Sequence, residues 1–239
     1  GLSDIAWNFV HKEKIYESDA VAVYPVRLDR GKQVEYVIKT MAMLKDFKLS
    51  VKVIVVDFHS TGGDKVTYRD DLKNVAVDYG LAENELLFTS EKRPEWEVEV
   101  AYEDTLGLMR LGNVFIMPSV SESYSLITQE AGLNGCIMVL NQDFPPFRDI
   151  YGPHAIYRKY SSNVDVMTGM DGNTKTRYGA ENVSDEERPQ LERNYHRETA
   201  GKIAHHLLHT DPIAMKIFLR KYRNPDYIFA HELEPLFYE

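Results

Sequence analysis

The sequence predicts an α/β fold: a Rossmann-like parallel sheet of about six strands with helices on both faces, followed by C-terminal helices. Three observations predict it. Strand-like and helix-like segments alternate from Ala20 to Tyr157, a rhythm that implies βαβ crossovers. Val51–Val56 is β-branched and nearly unbroken in apolar character, as expected of an interior parallel strand covered on both faces. In Val34–Phe47 the apolar residues Val34, Val37, Ile38, Met41, Ala42 and Leu44 recur at three- and four-residue steps, which marks one buried helical face.

In order, the expected elements are a strand over Ala20–Pro25, a helix over Val34–Phe47 and a strand over Val51–Val56 that ends at Asp57. A helix over Asp70–Tyr79 and a strand over Glu85–Phe88 follow. Next come a helix over Tyr102–Leu111, a strand over Val114–Met117, a helix over Ser123–Leu133, a strand over Cys136–Leu140 and a short last strand over His154–Tyr157. Two stretches break the rhythm. Thr89–Val100, with Glu91, Lys92, Arg93, Pro94 and Glu95, reads as a long excursion that shapes a site. Ser161–Val183, with Gly169, Asp171, Gly172, Asn173 and Gly179, reads as a surface loop or small insertion.

Beyond it, Ser184-Asp-Glu-Glu187 has the form of a capping box, with Pro189 tolerated in the first turn of a helix that runs to His209. Asp211-Pro212 starts another, which buries Ile213, Ile217, Phe218 and Tyr222 and stops at Asn224-Pro225. An aromatic tail, Leu236-Phe-Tyr-Glu239, ends the chain. The whole reads as one domain, with its core at 20–160, a loop or insertion at 161–183 and helices and tail at 184–239.

At 239 residues, 44% hydrophobic and 27% charged, the chain has enough apolar material for a sizeable core. A net charge of −9 argues against a general nucleic-acid or anionic-membrane binder, which needs a basic face. The single cysteine, Cys136, lies in an apolar stretch; this excludes a disulfide framework, implies a reduced buried thiol and points to the cytoplasm. No apolar run approaches the roughly 20 residues that span a bilayer. Gly1 in place of Met is the mark of an expressed piece or a processed product.

Two acids carry the candidate chemistry. Glu122 and Glu130 lie in Pro118-Ser-Val-Ser-Glu122-Ser-Tyr-Ser-Leu-Ile-Thr-Gln-Glu130-Ala-Gly132, directly after an apolar strand. With a helix starting near Ser123, Glu122 stands at its mouth among free N–H groups, and Glu130 lies two turns inside. The helical rise then separates the carboxylates by roughly 10–12 Å, a span suited to one long ligand with hydroxyls at both ends and a phosphate bridge. The alternative is a capped helix with both acids solvated. A second cluster, Arg27, Arg30 and Lys32, follows the first strand. Open α/β sheets bind ligands beyond the carboxyl ends of their strands, where both loops would project; the alternative is a solvated basic turn.

These segments together resemble the carboxyl-terminal, donor-binding domain of retaining GT-B glycosyltransferases, specifically glycosyltransferase family four. The resemblance covers roughly Ala20 to Gly152. Its parts are Arg27-Leu-Asp-Arg-Gly-Lys32, the strand ending at Val56-Asp57, Tyr79-Gly-Leu81 before Leu86-Leu-Phe88, and Met117-Pro-Ser119 through Glu122 to Glu130-Ala-Gly132 and Gly135. It implies that Arg27 and Lys32 bind the diphosphate of a nucleotide-sugar, that Glu122 contacts the donor sugar nearest the reacting carbon, and that Glu130 accepts hydrogen bonds from ribose hydroxyls. Tyr124, Ser125 and Leu126 would offer backbone N–H groups. It further implies retention of configuration, no metal or other cofactor, a UDP- or GDP-linked donor, and a missing amino-terminal acceptor-binding domain or partner chain. Ser123 and Ser125 depart from it where the family often has glycine, and the turn after the second strand, Asp57-Phe-His-Ser-Thr-Gly-Gly63, is longer and aromatic.

The expected function is therefore the donor half of a hexosyltransferase acting on a saccharide, lipid or protein acceptor. A noncatalytic binding or assembly module on the same fold, supported by the serine departures, is the alternative; a sugar-nucleotide epimerase is a third reading. His205, His206 and His209 read as surface histidines rather than metal ligands, since no acid or cysteine stands at a defined spacing from them. Trp96 reads as the anchor of its loop, with stacking on a base or sugar as the alternative; His59 carries a similar ambiguity.

Overall fold

The computed structural model describes residues 2–58, 65–119, 125–160, 184, 186–209, 223 and 225–238. Its sheet has six strands, all parallel: β1 (Ala20–Arg27), β2 (Val51–Phe58), β3 (Leu86–Phe88), β4 (Val114–Met117), β5 (Ile137–Asn141) and β6 (Ile156–Arg158). Their order is β3-β2-β1-β4-β5-β6. The chain thus moves outward one way from β1 and then returns to β1 to move outward the other way. Right-handed crossovers then carry the helices of the two halves to opposite faces. Accordingly, α2 (Val34–Met43), α3 (Lys65–Asp78) and α8 (Arg188–His209) form one packed group, and α1 (Asp4–Lys12), α5 (Tyr102–Leu111) and α6 (Leu126–Leu133) form another. Two shorter helices, α4 (Thr89–Lys92) and α7 (Pro145–Tyr151), close connections at the sheet ends.

The predicted apolar stripe on α2 is the stripe that is buried: Val34, Val37, Ile38 and Met41 lie against the sheet. The helix itself ends at Met43, and Leu44–Phe47 tightens into a 3₁₀ turn. Gln33, left-handed at φ 50°, offers no side-chain cap to α2. Tyr68 of α3 supplies one across the helix pair, its hydroxyl accepting from Val34 N at 3.1 Å and donating to Glu35 Oε2 at 2.6 Å.

Several boundaries differ from the sequence reading. Helix α3 is described from Lys65 rather than from Asp70, and Lys65 pairs at 3.1 Å with the buried Asp57 near the end of β2. The core begins before Ala20: α1 is capped by Ser3, whose Oγ accepts from Ala6 N at 3.2 Å, and it buries Ala6, Phe9 and Val10. The excursion after β3 carries α4 and a 3₁₀ turn at Pro94–Trp96, fastened by Trp96, which is 3% exposed and packs edge-on against Phe9 at 5.3 Å. Trp96 is therefore a core anchor. The capping box of α8 forms as expected, with Glu187 N donating to Ser184 Oγ and Ser184 N to Glu187 Oε2, each at 3.3 Å. His205 and His209 on α8 are exposed and His206 is half-buried. Cys136 is free and buried, and burial pushes its thiol up to about 12. His59, the stretch 161–183 and the expected helix after Asp211 lie outside the described residues.

Candidate functional site

The return point of the sheet lies between β1 and β4, and the chemistry of one residue opens it. Asn113 N donates to Val21 O and Asn113 Oδ1 accepts from Val21 N, so by the alternation of a strand Val21, Val23 and residue 25 present their backbone polar groups to β4. Residue 25 is proline and has no N–H to donate. Whereas β1 pairs with β2 along its full length, its bridge to β4 is at Ala22↔Val114. The two strands separate toward their carboxyl ends, and Pro25 lines a cavity of about 590 Å³ there.

The cavity is walled by Pro25, by Val98, Glu99 and Val100 of the excursion, by Tyr102 and Thr105 of α5, and by Ile127 and Glu130 of α6. Its surface is mostly apolar with two acids at the edge, the composition of a site for a ligand with a flat apolar part and hydroxyl or N–H donors. Tyr102 donates to Glu130 Oε1 at 2.7 Å, and the carboxylate in turn holds the phenol above its ordinary range.

The five described candidates, Arg27, Lys32, Ser125, Leu126 and Glu130, lie at the end of β1 or in the segments that follow β1 and β4, the two strands that flank the return point. Arg27 is the exposed last residue of β1. Lys32 ends the 3₁₀ turn Arg30–Lys32, and its carbonyl accepts from the Tyr24 hydroxyl at 3.2 Å, which ties the turn back to β1. Arg30 takes another direction: it lies over the Tyr68 ring at 4.9 Å and pairs with Asp71 at 2.5 Å, so it braces α3. Asp57 also turns inward. Fully buried, it accepts from Ser90 N at 3.0 Å and Ser90 Oγ at 2.6 Å and clasps the start of α4.

The helix after β4 starts at Leu126, three residues later than the expected Ser123. Ser125 accounts for the delay: its backbone is left-handed, φ 48° and ψ 70°, a conformation that a helix cannot continue through. Glu130 is consequently the fifth residue of α6, little more than one turn inside rather than two, and the axial span computed from a helix start at Ser123 does not apply. Glu122 and Tyr124 lie outside the described residues. The first turn of α6 is held by Thr128, whose N and Oγ1 donate to Ser125 O at 3.1 and 2.8 Å, while the Tyr151 hydroxyl of α7 donates to Thr128 Oγ1. At this helix mouth Ser125 Oγ is buried without a hydrogen-bond partner among the described residues, its residue 8% exposed. A hydroxyl in this position beside a helix N-terminus is chemically able to donate to a ligand oxygen.

Sequence reasoning missed Tyr102, Glu99 and Thr105. Tyr102 was visible only as the first residue of a helix; the available signal was its place just after the long excursion, at the start of α5 beside the cavity.

The fold is shared with proteins of known structure. Similar solved structures include Anabaena HepE in complex with UDP, at 15% identity and a TM-score of 0.50, with 93% of this chain and 53% of that one covered. Another is the E. coli trehalose-6-phosphate protein bound with UDP-2-fluoro glucose, at 11% identity and a TM-score of 0.50, with 91% and 46% covered. The chain thus spans about half the length of these two. No curated protein sequence matches it. The family model of glycosyl transferases group 1 matches residues 6–157, well over half of the chain, and the protein therefore belongs to the glycosyl transferases group 1 family.

Proposed function

We propose that the chain is the donor-binding half of a retaining glycosyltransferase, a single Rossmann-like domain that holds a nucleotide-sugar while a hexosyl unit passes to a saccharide, lipid or protein acceptor. The observation that carries this reading is Glu130 on the wall of a mostly apolar cavity at the return point of the sheet, one helical turn from the unpartnered Ser125 hydroxyl. In this reading Glu130 accepts from the ribose, and the N–H groups of Ser125 and Leu126, with that of Tyr124, face the diphosphate. Arg27 and Lys32 neutralise the charge that develops on the departing diphosphate, so that fixed cations and dipoles do the work of a metal. Glu122 contacts the donor sugar at the reacting carbon. UDP in the HepE complex supports a nucleoside diphosphate as the leaving group. Acceptor positioning and water exclusion come from an amino-terminal domain or partner chain that closes on the donor. The lone buried thiol suits the cytoplasm, and no helix among the described residues is long and apolar enough to cross a membrane.

Titration calorimetry with UDP, GDP and their sugar conjugates tests the reading. Arg27→Ala and Lys32→Ala each weaken binding by about 1.5–3 kcal/mol, the loss of a charge-assisted contact, and Glu130→Ala weakens the nucleoside end. Unchanged affinity in all three variants rejects the assignment. A noncatalytic module is the second reading, favoured by Ser125 in a left-handed conformation that glycine adopts more easily. Failure of the chain and of its two-domain assembly to bind any of these nucleotides would select it.

A further inference from the structure

The cavity at the return point contains one contact that the donor-binding reading does not assign. Tyr102 opens α5 and Glu130 lies in α6, and their side chains meet in a single hydrogen bond of 2.7 Å to Oε1. Tyr102 is 61% exposed. A bond between a water-accessible phenol and a water-accessible carboxylate adds little to the stability of a fold, because both groups are as well satisfied by solvent. Its effect is on the acid: it selects one arrangement of a side chain that otherwise samples several rotamers about three torsions.

An ionised carboxylate accepts at about four lone-pair positions. The Tyr102 bond uses one of them, and Oε2 has no hydrogen-bond partner among the described residues. The acid is thus oriented without being blocked. The Tyr102 ring meanwhile forms part of the same wall as Val98, Val100 and Ile127. One residue therefore contributes both to the apolar wall and to the aim of the carboxylate on its edge.

We propose that Tyr102 is a positioning residue for nucleoside recognition, holding Glu130 so that its free oxygen meets the vicinal hydroxyls of a ribose. The proposal rests on the donor-binding reading and adds to it a residue that the sequence reading placed only as the start of a helix. Ordering the acid before the ligand arrives lowers the entropy lost on binding, so the benefit appears as affinity for ligands that have the diol and not for those that lack it.

The test is calorimetry on wild type, Tyr102→Phe, Glu130→Ala and the double variant, with UDP, GDP and the corresponding 2′,3′-dideoxynucleoside diphosphates. Tyr102→Phe keeps the ring in the wall and removes the donor; circular dichroism and the melting midpoint verify that it folds. The expected result is a loss of about three- to tenfold in affinity for the ribonucleotide that binds better, little change for its dideoxy counterpart, and no additional loss when Tyr102→Phe is combined with Glu130→Ala. Equal losses for ribo- and dideoxynucleotides would mean that the Tyr102 hydroxyl acts on a part of the ligand other than the diol, and would overturn the proposal. A silent Tyr102→Phe, with Glu130→Ala still impaired, overturns the proposal and leaves the donor-binding reading standing. Absence of nucleotide binding by the wild-type chain overturns both.

Discussion

Ser125 is a residue whose side chain and backbone disagree with their surroundings in the same place. A left-handed conformation costs an L-residue about 1–2 kcal/mol, and its hydroxyl is buried without a partner. Ser125→Gly should relieve both and raise the unfolding free energy by about 1 kcal/mol, after allowing for the extra freedom of glycine in the unfolded chain. Urea denaturation measures it; a destabilised variant would show that the hydroxyl is held by a bond the fold needs. His196 offers the converse case of a buried group with a structural task. It is 0% exposed, its Nδ1 lies 2.8 Å from Thr40 Oγ1, and rings of Tyr36, Tyr79 and Tyr195 surround it. Burial holds its pKa down at about 3 against an ordinary 6.5. The native imidazole therefore stays neutral where the unfolded one binds a proton, and the unfolded state gains below pH 6.5. Stability that is full above pH 6.5 should fall as the pH drops toward 3, by at most about 1.4 kcal/mol per unit. In His196→Gln that portion of the slope should disappear, which paired denaturation curves at pH 7 and pH 5 would reveal. Neither feature was legible in the sequence: Ser125 stood there only as a departure from glycine, and His196 as a polar residue in a polar helix, because both depend on what packs around them.

Among the elements, α8 shows how a local signal and a tertiary one combine. Its capping box was readable from Ser184 and Glu187 alone, since the reciprocal bonds span three residues. Its burial was not readable, because His196, Thr199, Ala200, Ile203 and Ala204 form the buried face and only Ala200, Ile203 and Ala204 of these are apolar. The polar members find partners on other residues, His196 through Nδ1 on Thr40 and Thr199 on Tyr195 O at 3.0 Å, while His196 Nε2 is buried without a partner among the described residues. Ser184→Ala should cost about 1 kcal/mol or less, the usual effect of losing an N-cap. Hydrogen exchange should show the loss as faster exchange in the first turns of α8 and not in β1 or β2, whereas uniform acceleration would mean that α8 unfolds only with the whole domain. Helix α6 carries the opposite lesson. The sequence signalled a helix correctly from Leu126 onward but placed its start three residues early, since backbone reversal at a serine has no propensity signature.

At the level of the whole molecule, the proposed donor-binding role sets the expectation for activity. In that reading the separately expressed chain should bind a nucleoside diphosphate and show little transfer or hydrolysis of the sugar, because without the proposed acceptor-binding half nothing positions an acceptor or excludes water. Turnover measured with and without an added acceptor-binding half decides this; equal rates in the two assays would show that the 239 residues are a complete catalyst. Net charge of −9 gives the local cations Arg27 and Lys32 added weight here, since an anionic donor approaches an acidic protein against its overall field. Binding should therefore improve at moderate ionic strength before local screening weakens it.

What the sequence determined by itself was set by periodicity and short-range chemistry. The β-branched runs, the stripe on α2 and the capping box of α8 follow from spacings of two to four residues, and the buried thiol from the apolar stretch around the one cysteine. The tertiary structure decided what depends on residues far apart in the chain. It joined Tyr102 to Glu130 across 28 positions, assigned Arg30 to Asp71 across 41, turned Asp57 inward to Ser90 and opened the cavity where Pro25 meets β4. A side chain's role is fixed by its partner, and the partner is supplied by the fold.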